Sequence, residues 1–337
     1  MEAPGNIICH EGNIAQVTDA EVKQKMEKVK GAGIVVKACS PQAISELLNP
    51  PDSEKINIAL FGATYCDACR PCTEELIKTK KQMDQIGENK YDFWYFPVET
   101  AAEPTLKPGD DLGTIVDQFK KCTNGELLTA TGWEAEIVPV LLLSGREDKK
   151  VWIQTGFLTE QMMERMITAY KKGGSYEDFA IHDLPLKIEE LGKMADTLTV
   201  SDDKNNYAKW YPLWTTLEIG LELIRNHTTP MVNRDGIKTD EDTAIIPIIP
   251  NKTKRENIAH VKLQGKEKDV FLNTLDRACS LTESVIENMR RIAKKEKEDN
   301  GEEFPEPDNN YYEKKLNLPR VLRDQLEEIY KPKLETK

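Results

Sequence analysis

No stretch of this chain stays apolar for the roughly 20 residues that a helix needs to cross a bilayer. The oiliest run, Ile245-Ile246-Pro247-Ile248-Ile249-Pro250, is short and interrupted by proline, so no integral membrane segment is expected. Positive charge is scarce too. Lys and Arg number 46 against 58 Asp and Glu, for a net charge of -12. A general nucleic-acid binder carries a basic stripe, so no nucleic-acid partner is expected. The same charge opposes adhesion to an anionic membrane. There are four histidines in 337 residues. His182, His227 and His260 show no ligand spacing, and neither a metal nor an organic cofactor is expected. The chain has no phosphate-cradling loop, no Gly-x-Gly-x-x-Gly, no hydrolase triad and no internal repeat. Its start, Met1-Glu2-Ala3-Pro4-Gly5-Asn6, lacks the basic region and apolar core of a signal peptide. Taken literally this places the protein in the cytoplasm, with a periplasmic or exported setting as the alternative if a signal peptide has been removed. Cysteines are few and odd in number, seven, with only three clustered. That is no disulfide framework, and at least one free thiol is expected. Cys9 and His10, adjacent on a polar arm, read as incidental.

The informative stretch is Phe61-Gly62-Ala63-Thr64-Tyr65-Cys66-Asp67-Ala68-Cys69-Arg70-Pro71-Cys72. Ile56 to Phe61 is a short apolar run bounded by polar residues, which suits a buried strand. Thr73 to Ile86 has a helical pattern, with Leu76, Ile77, Met83 and Ile86 apolar. A thiol at the first turn of a helix meets unpaired backbone N–H groups and the positive end of the helix dipole. Both favour the thiolate, which is the nucleophile in disulfide exchange. A second thiol three residues on, one turn along the same helix, can attack a mixed disulfide formed at the first.

This stretch resembles the active site of thioredoxin-like proteins, whose pattern runs Phe-x-Ala-x-Trp-Cys-x-x-Cys. Phe61, Ala63, Cys66 and Cys69 match it, and Tyr65 stands where tryptophan is usual. The resemblance implies that Cys66 attacks a partner disulfide and that Cys69 resolves the mixed disulfide. It gains from the order of elements. Strand Ile34–Ala38, a helix from Ser40-Pro41 to Leu48, strand Ile56–Phe61, the Cys-x-x-Cys helix and strand Tyr91–Val98 come first. A helix over 112–122, strands Val140–Leu143 and Val151–Gln154 and a helix from Thr159 to Lys172 follow. This series implies a central mixed sheet with helices on both faces, and it is the thioredoxin-fold order. The family also carries a cis proline ahead of its penultimate strand, opposite the active cysteines, and Ile137-Val138-Pro139 occupies that place. The resemblance implies that Val138 and Pro139, with Tyr65, face an extended substrate segment.

Four features depart from the family pattern. Asp67-Ala68 separates the cysteines, and the Asp67 charge beside Cys66 opposes the helix-end effect, with Arg70 as an offset. Leu60 occupies the place of a buried acid that assists proton transfer. Glu74 stands where a proline is usual. Cys72 extends the motif to Cys-x-x-Cys-x-x-Cys, which overlaps iron–sulfur spacing. As a third thiol it reads either as a small packed helix residue or as a trap for a Cys69–Cys72 disulfide. Cys39, Cys122 and Cys279 read as packing residues.

The sequence thus divides into an N-terminal arm and helix over 1–31, a thioredoxin-like α/β domain over 32–174 and a mainly helical domain over 175–337. In the last, helical patterns run over Leu184–Leu198, Tyr211–Arg225, Val270–Lys295 and Leu318–Tyr330. Phe271, Leu275, Ala278, Val285, Met289 and Ile292 form a near-heptad stripe that Thr282 interrupts, as on one helix of a packed bundle. Asn300 to Asn310 reads as an acidic loop. Trp210, Tyr211 and Trp214 cluster at a helix start, and Asn226 and Asn251 open glycosylation triplets. The expected function is thiol–disulfide exchange with a protein disulfide or dithiol, the helical domain supplying partner recognition or a route to homo-oligomers or a larger assembly. The alternatives are a redox-inactive scaffold and, more weakly, metal or cluster binding through Cys66, Cys69 and Cys72.

Overall fold

The computed structural model describes residues 19–50, 55–63, 69–87, 90–97, 139–197, 237–248, 259–300 and 309–330. Outside them fall Cys9, His10, the helix expected over 112–122 with Cys122, and the Tyr211–Arg225 segment with Trp210 and Trp214. His227 and both glycosylation triplets also lie outside. The chain forms two compact units, Met1–Gly174 and Ser175–Lys337.

The first unit holds α1 (Asp19–Gly31), β1 (Val35–Val36), α2 (Pro41–Leu48), β2 (Ile56–Gly62), α3 (Cys69–Ile86), β3 (Tyr91–Pro97), β4 (Val140–Ser144), β5 (Trp152–Thr155) and α4 (Glu160–Lys172). The strands make one mixed sheet in the order β1-β3-β2-β4-β5. β1 and β2 run parallel to β3, whereas β4 runs antiparallel to both β2 and β5. β2 is the middle strand and every residue of it is buried, which is why Ile56–Phe61 reads as an apolar run, broken at Asn57, rather than as an alternation. The ladder of β1 is shorter than the expected Ile34–Ala38, and only the Lys37 N–H extends it, to the Tyr95 carbonyl.

Local signals set the helix starts. Ser40 caps α2 by accepting the Ala43 N–H at 3.2 Å, ahead of Pro41 at the first helical position. Thr159 caps α4 by accepting the Met162 N–H. The buried Asn57 ties the layers together. Its Nδ2 donates to the Leu47 carbonyl at 2.8 Å, and its Oδ1 accepts the Trp94 indole N–H at 3.2 Å. Ser144 Oγ donates to the same Leu47 carbonyl at 2.5 Å. One amide therefore joins α2, β2 and β3, and the shared carbonyl adds β4. At the end of β4, Gly145 adopts φ +98°, and a Cβ there would lie 2.4 Å from the Lys55 carbonyl oxygen, so the turn requires glycine.

The second unit is built from α5 (Tyr176–Thr197), β6 (Lys238–Thr239), β7 (Thr243–Ile248), β8 (Ala259–Gln264), α6 (Gly265–Asn300) and α7 (Asn309–Tyr330). Long helices dominate it, but it also carries an antiparallel sheet, β6-β7-β8, that the sequence reading did not anticipate. The oily segment Ile245-Ile246-Pro247-Ile248 lies in the middle strand of that sheet. Phe271, Leu275, Ala278, Val285 and Met289 are buried along α6. Thr282 sits in the same stripe without penalty because its hydroxyl donates to the Ala278 carbonyl at 2.7 Å. Two helices begin earlier than expected. α5 runs from Tyr176 and α7 from Asn309, with Pro185 and Pro319 inside them, whereas the sequence pattern predicts starts at Leu184 and Leu318. For the same reason Asn309 and Asn310 are helical rather than the end of a loop. Among the described residues no helix is long and apolar enough to cross a membrane.

Candidate functional site

β2 delivers the chain to the site. Its last residue, Gly62, and the following Ala63 are buried, and Cys69 is the first residue of α3. Cys66 and Tyr65, like Val138, lie outside the described residues. Cys69 is a free thiol with no exposed surface. Its carbonyl accepts the Thr73 hydroxyl at 2.7 Å, one turn on. Arg70, the next residue, is exposed.

Pro139 is buried immediately ahead of β4. In the antiparallel register Val140 stands opposite Phe61. Pro139 therefore lies level with Gly62, at the end of the sheet from which the chain proceeds toward Cys69. Its carbonyl accepts the Gly156 N–H at 2.9 Å. The fold thus brings Pro139, 70 residues downstream in sequence, to the edge where α3 begins.

Cys72 is also a free and fully buried thiol. Burial, with the Glu75 charge, pushes it up to about 12, against the opposing pull of the Leu158 backbone N–H and the Lys25 charge. It stays protonated at neutral pH. Cys279, also free and buried, is likewise pushed up to about 12 by its burial. Cys39 corrects the sequence reading. It is buried but disulfide-bonded, not a simple packing thiol, and the other half of that bond lies outside the described residues. Nothing in a single buried cysteine between a strand and a helix cap distinguishes the two roles.

Ionic contacts frame α3. Glu74, at the position where the resemblance implies proline, pairs with Lys28 of α1 at 2.5 Å. Glu75 accepts Lys78 at 2.6 Å and, with its other oxygen, the Glu160 N–H at 2.9 Å at the start of α4. Leu60 is buried and faces Tyr95 in the β2–β3 register.

Three residues near Cys69 escaped the sequence reading. Tyr95 is buried with its ring against Gly62, where a Cβ would meet the Tyr95 Cε2 and Oη at 3.3 Å and the Cys69 Cβ at 3.5 Å. Lys25 of α1 donates to the Ala63 carbonyl at 3.2 Å, and its ammonium lies 5.3 Å from the centroid of the Tyr95 ring. The signal for Gly62 was present, a glycine in an otherwise apolar strand, which marks a close approach. Lys25 gave none, standing in a charged helix more than 40 residues before Cys69. Among the described residues no group of three His, Cys, Asp or Glu side chains is gathered that could hold a metal ion.

Comparison with protein-family models, with curated proteins and with solved structures gives no match. The chemistry of the site is accordingly read from its own residues.

Proposed function

We propose that the chain is a thiol–disulfide oxidoreductase acting on a protein partner, and that residues 32–174 form a thioredoxin-like domain. The observation that carries this reading is the meeting of Cys69 and Pro139 at one end of the sheet. Cys69 opens α3 directly after the middle strand, and Pro139 precedes the antiparallel neighbour of that strand. The strand order β1-β3-β2-β4-β5, with the last two strands antiparallel, supports it as well.

The exchange balances as follows. The Cys66 thiolate attacks one sulfur of a partner disulfide, and the other partner sulfur leaves as a thiolate and takes up a proton. The Cys69 thiol then loses its proton and attacks the Cys66 sulfur. A Cys66–Cys69 disulfide forms and the second partner sulfur leaves. The partner is reduced by two electrons and the pair is oxidised by two; the reverse sequence donates a disulfide. Tyr65, Val138 and Pro139 would face the partner segment, and residues 175–337 would select the partner or assemble copies of the chain.

The test is redox equilibration of the full chain in glutathione or dithiothreitol buffers, with each thiol read by alkylation and peptide mass spectrometry. Cys39 is itself disulfide-bonded, so the peptide assignment is essential. We expect a reversible two-electron transition joining Cys66 to Cys69, and partner captured as a mixed disulfide by Cys69→Ser. Thiols that neither cycle nor capture would overturn the reading. A redox-inactive scaffold is then favoured, to which the buried, apolar Leu60 already points by removing a proton-transferring acid from β2.

A further inference from the structure

Resolution of a mixed disulfide requires the buried Cys69 thiol to give up its proton. A thiol without exposed surface resists this, because burial penalises the thiolate. Leu60 and its register partner Tyr95 place no carboxylate in this part of the β2–β3 ladder. A different charge lies close by. The Lys25 ammonium reaches past α1 to the Ala63 carbonyl at 3.2 Å and sits over the Tyr95 ring, 5.3 Å from its centroid. That ring crowds the space a side chain at Gly62 would fill, where a Cβ would meet Tyr95 at 3.3 Å and the Cys69 Cβ at 3.5 Å. Lys25 is half-buried and Tyr95 fully so, so the charge acts through partly dry surroundings, where it is felt more strongly than in water.

We infer that Lys25, seated on Tyr95 and Ala63, is a positioning residue whose charge favours the Cys69 thiolate, a contribution made by the N-terminal helix to the site. Its use in catalysis rests on the oxidoreductase reading above; the coupling itself does not. Among the described residues, the other charged and titratable groups on the elements next to Cys69 and Cys72 include Lys28 of α1, Tyr95 of β3, and Arg70, Glu74 and Glu75 of α3. Lys28 is engaged by Glu74, and Glu75 by Lys78 and the Glu160 N–H. Arg70 is exposed on the first turn of α3. Lys25 also acts on the Cys72 thiol, one turn further along α3.

The test is a pH titration of the reduced full chain carrying 13Cβ-labelled cysteine, with the Cys69 signal assigned by its loss in Cys69→Ser. Lys25→Met should raise the Cys69 midpoint by about one pH unit, a roughly tenfold loss of thiolate below the midpoint. Lys25→Arg, which keeps the charge, should leave it near the native value. An unchanged midpoint in Lys25→Met, or an equal shift in Lys25→Arg, overturns the inference. If methionine disturbs the fold, as amide dispersion would reveal, Lys25→Gln keeps a hydrogen-bond donor for Ala63 and is judged by the same criteria. The two readings fail separately. Thiols that titrate as expected but neither cycle nor capture a partner sink the oxidoreductase and leave the coupling, whereas a cycling pair indifferent to Lys25 does the reverse.

Discussion

Leu158 presents its backbone N–H to the buried sulfur of Cys72, so the segment leading into α4 closes over the second turn of α3. Cys72 is fully buried and its thiol is pushed up to about 12, which keeps it protonated and unreactive at neutral pH. We expect iodoacetamide at pH 8 to leave Cys72 unlabelled in the native chain and to label it in urea. Cys72→Ala should cost about 1–2 kcal/mol in unfolding free energy through lost packing, with capture by Cys69→Ser unaffected. Recovery of a Cys69–Cys72 disulfide from the native chain would contradict this and restore the trap role.

The middle of the first unit was the most legible part of the sequence. Ile56–Phe61, apolar but for Asn57, and Val140–Leu143 are buried on both faces, and near-continuous apolar runs are what such strands require. Ser40-Pro41 and Thr159 announced their helices because capping is local chemistry. The true starts of α5 and α7 were not legible because each helix carries a proline inside it, Pro185 and Pro319, and only tertiary packing can carry a helix through one. The β6-β7-β8 sheet was lost because Pro247 argues against a strand when read alone. Around Cys69 the thiols were legible from their spacing. Lys25 and Tyr95 were not, since they reach the site from α1 and β3 and carry no local signature.

Asn57 is the buried polar group on which most of the first unit converges. Replacing it with leucine removes the donor to the Leu47 carbonyl and the acceptor for the Trp94 indole N–H. The buried Leu47 carbonyl keeps Ser144, but the indole N–H loses its Asn57 acceptor. We expect a loss of about 2–3 kcal/mol in urea unfolding, read where Trp94 fluorescence responds. Asn57→Asp should do worse by burying a charge. A change under about 0.5 kcal/mol for Asn57→Leu, the usual scale of a surface substitution, would show that the amide is not a junction of the sheet.

The second unit holds a pH-dependent contact between α5 and α6. His182 donates through Nδ1 to the Asp178 carbonyl at 2.7 Å, and its Nε2 meets Glu267 Oε1 at 3.3 Å. The Asp178 carbonyl does most to raise the imidazole above its ordinary 6.5; Glu267 adds to it, and partial burial opposes. A group raised on folding stabilises fully below its unfolded value. That contribution fades as pH climbs through the folded value. Both side chains are more than half exposed, at 57% and 60%, so salt screens the ion pair and the stabilisation is small. We expect Glu267→Gln to lower the His182 midpoint, followed by imidazole NMR, yet to leave it above 6.5 because the Asp178 carbonyl remains. Added salt should lower the native midpoint and have less effect on the variant. A midpoint indifferent to both changes, or a second unit that gains stability from this contact as pH rises past 6.5, would show that the pair does not form in solution.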